Sequence, residues 1–351
     1  MSDVRMSPII KWYRTPITRI KLKKLTKRSD LKGLIYTLAY LGLLTVTGTL
    51  IVVLTGKISW LFIALLLVAH GTSYSFMING FHELSHGTVF RSKWLNEVFL
   101  RIFSFLGWYS HIGFRASHTR HHAYTLHPPD DMEVVLPVKY ELKSFLVRIF
   151  VDPIGLFHTI RTSIRIAMGR LDGEWQEKIF ADESSKPGGP EDRRRHIRWY
   201  RILLSGHVII VVIAVMSGLW MLPVVISAGR FYFSCLFYLC NSTQHVGLVD
   251  NIDDFRLCCR THWLNPIVRF LYWQMNYHTE HHMYAAVPFY NLRALHNAIQ
   301  HDMPPILPGL VSTWKQIVTI LKRQKNEPTY QYYQPLPKAK SAIAQSGSGN
   351  N

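Results

Sequence analysis

From Gly33 to Gly56 the chain runs GLIYTLAYLGLLTVTGTLIVVLTG without a single charged residue. A helix of that length crosses a hydrocarbon core of about 30 Å. One lysine later, residues 58–81 (ISWLFIALLLVAHGTSYSFMINGF) are again uncharged and stop immediately before His82. Lipid leaves such runs few choices, because every backbone polar group must be satisfied within the protein. Two runs joined by a tight turn read as a membrane hairpin. Residues 202–222 and 224–244 repeat the pattern around Pro223, with Arg230 interrupting the return. That arginine either snorkels to an interface or bonds backbone carbonyls. The expected fold is all-α and integral to the membrane. It has four transmembrane helices in two hairpins, over 33–56, 58–81, 202–222 and 224–244, with a cytoplasmic helical cap.

Charge supports this reading. The 351 residues are 48% hydrophobic yet carry a formal charge of +18. Nucleic-acid binding would account for the charge but not for the apolar runs, and none of the usual nucleic-acid signatures is present. Cationic loops flanking membrane spans account for both. Residues 1–32 form a basic segment from Arg5 to Lys32 with no signal-peptide pattern. The positive-inside bias makes that side cytoplasmic, and even numbers of crossings put His82 and both termini there too. Residues 92–117 and 142–168 mix aromatic and aliphatic side chains with Lys and Arg, as interfacial helices do; Pro153 is expected to break the second. Pro187-Gly188-Gly189-Pro190 favours a turn over a helix. The expected catalytic domain covers 33–300. Residues 301–351 then form a C-terminal segment with a disordered, low-complexity tail. Cys235, Cys240, Cys258 and Cys259 lack CxxC spacing and read as buried reduced thiols.

Eighteen histidines are present, and nine fall into four groups. His82 and His86 lie in HELSH, and His118, His121 and His122 in HTRHH. His245 ends NSTQH four residues after Asn241, and His278, His281 and His282 lie in HTEHH. Spacings of three and four residues put side chains on one helix face, so each group offers one coordinating ridge. The first follows the second span and the third ends the fourth span. The other two occur in segments assigned to the cytoplasmic face. Nine imidazoles exceed what one ion takes, but suit two ions with four or five ligands each. Imidazole accepts zinc, copper, iron or nickel, so the spacing stops at a dinuclear site on the membrane surface. His70 and His207, inside spans, read as hydrogen-bonded packing residues.

HELSH also satisfies H-E-x-x-H, the zinc metalloprotease pattern, with Glu83 as general base. A protease needs one further ligand and leaves most of the grouped histidines without a role. A histidine-lined metal transporter would want its ligands at mid-membrane depth, whereas these cluster at span ends.

Taken together, HxxxH at 82–86, HxxHH at 118–122, NxxxH at 241–245 and HxxHH at 278–282 resemble the histidine boxes of the integral-membrane fatty acid desaturase and hydroxylase superfamily. The resemblance runs from about residue 33 to 300. It implies two iron ions held by the nine grouped histidines, with Asn241 acting directly or through water, and O2 as co-substrate. The substrate would be a fatty acid or acyl lipid entering from the membrane. Desaturation is the expected outcome, with hydroxylation or oxidative decarboxylation to a terminal alkene as alternatives. The chain contains no flavin, nicotinamide or haem module, so an external electron donor is implied, of ferredoxin or cytochrome b5 type with its reductase. Glu83 and Glu280, and less so Asp130 and Asp131, would orient imidazoles. Arg115 and Arg120 would receive a carboxylate or phosphate, or anchor lipid.

Overall fold

The computed structural model describes residues 10–134, 149–181 and 187–337. Arg5, the amphipathic stretch around Phe145 and Leu146, and the tail from Lys338 lie outside them.

The first long helix, Asp30–Leu54, is capped by Ser29, whose hydroxyl accepts from the Lys32 amide at 3.3 Å. Gly56 takes φ +80° to turn the chain, a conformation that costs glycine little. The hairpin returns as Trp60–Ser75 and, past Phe76, continues as Met77–Ser85. These two arms and the helix Gly189–Ser217 are long and apolar enough to cross a membrane. Their outward faces expose Ile35, Val46, Leu61, Phe62, Val208 and Val212, as lipid-facing helices should. No strand forms among the described residues, only isolated bridges such as Thr261 with Tyr277.

The return from the third long helix differs from the expected fourth span over 224–244. It is broken into Leu222–Ile226, a 3₁₀ turn at Gly229–Phe231 and Cys235–Asn241. Phe233 sits at φ +51° between the last two. The path still runs from Val225, packed with Ile51 and Ile63 at the hairpin's far end, to His245. Arg230 explains part of the break. It donates to the Gly107 carbonyl and lies 4.4 Å over the Tyr109 ring, so the backbone-bonding alternative holds.

The break expected at Pro153 falls at residues 150–152, whereas the Pro187–Pro190 turn is shorter than expected. Pro153 opens the helix Pro153–Ala167, whose cap Asp152 accepts from the Gly155 amide at 2.7 Å. Pro190 sits in the first turn of Gly189–Ser217, so the turn ends at Gly188 and the helix begins well before residue 202. Both use the position where a missing N–H costs nothing.

His70 and His207 behave as packing residues. His70 joins Thr47 Oγ1 at 2.7 Å to the Val225 carbonyl at 3.0 Å. His207 stacks between Phe105 and Trp108 and meets Ser227 Oγ at 2.8 Å. The main core gathers beneath the histidine groups around Phe81, Phe103, Trp273 and Phe289, all fully buried. Each such side chain contributes roughly 1.5–3 kcal/mol of burial. Gly80 lets the ligand-bearing helix sit on this floor, since a Cβ there would lie 2.5 Å from Phe103 and Trp273. Residues before 33 and after 300 join the same body: Tyr13 Oη donates to Asp302 at 2.7 Å, and Trp314 Nε1 to the Leu239 carbonyl at 2.9 Å.

Candidate metal centre

The four histidine groups arrive from four directions. His82 occupies the last turn of Met77–Ser85 and His86 caps it. His118, His121 and His122 lie on the helix His111–Tyr124. His245 follows the broken return, and His278, His281 and His282 lie on the short helix His278–Met283. All nine come together, and eight of them sort into two sets, of five and three, that the sequence did not specify, with His121 packed against the second.

In the first set, ring nitrogens of His82, His86, His118, His122 and His281 all lie within 4.8 Å of one another. The Nε2 atoms of His281 and His82 are 2.8 Å apart, and those of His82 and His86 3.2 Å. His118 Nε2 lies 3.2 Å from that of His86 and 3.0 Å from that of His122. Metal–imidazole bonds of about 2.1 Å meeting at right angles would put their nitrogens about 3.0 Å apart.

Hydrogen bonds do not account for these contacts. A neutral imidazole carries one N–H. His118 faces Glu133 Oε1 through Nδ1 at 2.8 Å, and His281 faces Glu83 Oε1 through Nδ1 at 3.3 Å. With its Nδ1 directed at Glu133, His118 presents a bare Nε2 lone pair to the point that His281 Nε2 also approaches, whereas His281 Nδ1 and Glu83 make no hydrogen bond. Burial, reinforced by neighbouring imidazoles, holds His86 and His122 well below the usual histidine range and takes His281 to about 3. Lone pairs of neutral rings converging at this spacing repel unless a cation lies between them. The residues therefore fit a metal ion.

The second set contains His245, His278 and His282, each at most 6% exposed. His278 Nε2 and His245 Nε2 are 2.9 Å apart. His245 Nδ1 donates to the Cys258 carbonyl at 2.8 Å, and His282 Nδ1 meets Thr125 Oγ1 at 3.1 Å, leaving its Nε2 without a protein partner. His121 stands edge-on to His245 and His282, with ring centroids 5.3 and 4.9 Å away. Its Nδ1 is held by Asp131 Oδ2 at 2.8 Å. Burial opposes a charge on His121, but Asp131 outweighs it and raises the pKa. Cys259 also comes within 4.8 Å of this set. Its sulfur lies 3.8 Å from His245 Nδ1, the nitrogen already committed to a carbonyl and facing away from His278. His121, by its ring, and Cys259, by its sulfur, are thus the two side chains beside these three histidines. The other three cysteines are likewise free thiols.

The supporting carboxylates differ from expectation. Glu83 is fully buried behind His281, at the back of a ring, where a protease base would have no access to substrate. Glu280 turns away from the histidines, accepting from Thr261 Oγ1 at 2.6 Å and pairing with His296 Nδ1 at 2.5 Å. Asp130 approaches Lys178 at 3.7 Å. Asp131 orients His121, and its second oxygen accepts from the Glu133 amide at 2.9 Å. Glu133 itself escaped the sequence reading; the signal was its place two residues after Asp131 in DDMEV. Burial disfavours its charge, yet the facing His118 lowers its pKa to about 2. Arg115 is committed to Glu97 Oε1 at 2.6 Å and the Ser85 carbonyl at 3.1 Å, and Arg120 is buried over Trp175. Neither presents an open carboxylate receptor. Asn241 ends the helix Cys235–Asn241, one turn before His245.

A search of curated proteins finds no match. Comparison with known families matches residues 58–314 to fatty acid desaturase. That stretch covers well over half of the chain and contains all nine histidines. On this match, and with an all-α body, three apolar helices and two histidine clusters able to hold metal, the protein belongs to the fatty acid desaturase family, whose members are oxidoreductases acting on fatty acyl chains.

Proposed function

We propose that this protein is a membrane-bound, non-haem di-iron enzyme that uses O2 to desaturate a fatty acyl chain. The observation that carries the reading is the convergence of bare imidazole nitrogens 2.8–3.2 Å apart, from groups up to 199 residues apart. His82, His86, His118, His122 and His281 would hold one iron. His121, His245, His278 and His282 would hold the other, with Asn241 contributing directly or through water. Iron bound there supplies the reductive activation of O2 that an unactivated C–H bond requires.

The chain's own residues set the conditions for that chemistry. Glu133 and Asp131 fix which nitrogen of His118 and His121 faces inward. Burial keeps His245, at about 3, and likewise His278 and His282 neutral, so that they offer lone pairs and not protons. His86 and His122 are partly exposed while the second set is buried. The acyl chain and O2 therefore approach from the first set's side. The overall chemistry balances when the saturated chain gives up two hydrogens, O2 accepts these with two further electrons and two protons, and two waters form. The two extra electrons come from an external carrier of ferredoxin or cytochrome b5 type. We place the catalytic unit at 33–300, four passages of the membrane in two hairpins, and both termini with the metal cap in the cytoplasm.

The test is product analysis. Gas chromatography of lipids from cells fed saturated fatty acids should show new internal double bonds that vanish in the His278→Ala variant. Alcohols or shortened terminal alkenes instead would replace desaturation with hydroxylation or decarboxylation. No oxidised product in any form would overturn the reading.

A further inference from the structure

The two histidine sets differ in access. His86 and His122 of the first are partly exposed, whereas His245, His278 and His282 of the second are sealed. If the substrate occupies the open side, as proposed above, a protein donor cannot discharge there during turnover. What covers the sealed side is the N-terminal segment of the described chain. The Tyr13 amide donates to the Asp253 carbonyl at 2.8 Å, and Tyr284 Oη donates to the Thr15 carbonyl at 2.7 Å. Immediately before these fastenings Trp12 is half-buried. Its indole stacks on Phe255 with centroids 4.0 Å apart and planes 10° from parallel, and its N–H donates to the Ala123 carbonyl at 2.9 Å. Phe255 is fully buried, with its ring centroid 5.5 Å from that of His282. Two rings thus bridge from the surface to a member of the sealed set.

We infer that Trp12 and Phe255 form the electron route into the metal centre, from a one-electron carrier protein docked over the Lys11–Trp12 surface to the metal bound by His282. The inference rests on the proposed di-iron function. Each transfer oxidises the carrier by one electron and reduces one ferric ion to ferrous. The two rings couple donor to acceptor and are unchanged afterwards, and no bond forms or breaks. The hydrophobic packing of Trp12 is real as well, but packing alone asks for no continuous aromatic contact to a ligand.

The experiment compares two reductants on iron-loaded protein under argon, following the iron spectroscopically with no substrate or O2 present. The protein reductants are a two-iron ferredoxin and the haem domain of a cytochrome b5, each prereduced; the small reductant is dithionite. In Trp12→Leu, reduction by the effective carrier should slow several-fold or more, dithionite reduction and iron content should stay at wild-type values, and Trp12→Phe should restore most of the carrier rate. A second variant avoids the packing question. Lys11→Cys, in a Cys235→Ser background and capped with a bulky maleimide, should lose carrier-driven reduction and, in the metal-free form, carrier affinity. Unchanged carrier rates in both variants would overturn the route, as would equal losses with both reductants. Wild-type protein whose iron accepts electrons from no reductant would instead remove the di-iron reading beneath it.

Discussion

His82 Nε2 and His281 Nε2 meet at 2.8 Å across 199 residues of chain, one from the end of a long apolar helix and the other from a six-residue helix. Neither ring could be held there by local structure. The pair is a product of the whole fold, and it ties the first histidine group to the last. Because each ring also touches other members of its set, removing one should change occupancy of one ion more than the other.

His278→Ala tests that division. The residue belongs only to the sealed set. The expected outcome is loss of oxidation and a fall of about half in bound metal, with normal membrane insertion. Plasma emission of the purified variant beside a product assay reads both. Retained turnover would contradict its role as a ligand.

Asp131→Asn and Glu133→Gln keep size but lose charge behind His121 and His118. Loss of an imidazole's supporting carboxylate typically weakens metal binding by about 10–100-fold. Competition with a calibrated chelator should register that loss in both variants. A Glu133→Gln protein with wild-type affinity would show that His118 needs no such support.

Gly71→Ala tests the seam between hairpin and return. A Cβ there would lie 2.5 Å from the Tyr232 carbonyl oxygen and closer to its ring. Backbone cannot swing aside as a side chain does, so overpacking should cost about 1–3 kcal/mol. Thermal unfolding in detergent should show a lower midpoint, while Gly42→Ala, with open space around it, should not.

Much of this was legible in residue order, for identifiable reasons. Uncharged runs announce lipid-facing helices, and imidazoles three and four apart must share a helix face whatever the tertiary fold. Position along the chain then predicted that His82 and His245 would share one membrane boundary. The partition into two sets was not legible. His122 belongs to the first set whereas the adjacent His121 packs on His245 and His282, because successive residues on a helix diverge by about 100°. Glu280 illustrates the converse. Lying between His278 and His281, it invited an orienting role, but it faces the opposite side of its short helix and bonds His296. The broken return was hidden because Arg230 and Phe233 read only as interruptions of a hydrophobic run. The Gly107 carbonyl and Tyr109 ring that Arg230 engages come from residues remote in sequence. Pro190 departs from expectation because composition shows a helix breaker, whereas position in the first turn makes it a helix starter, as Pro153 also is just after the break it was expected to mark.

The most direct measurement is the metal content of protein purified from iron-replete cells without added chelator. The account predicts about two irons per chain, magnetically coupled in the oxidised state. A single zinc, or protein that folds and works with no iron at all, would contradict it.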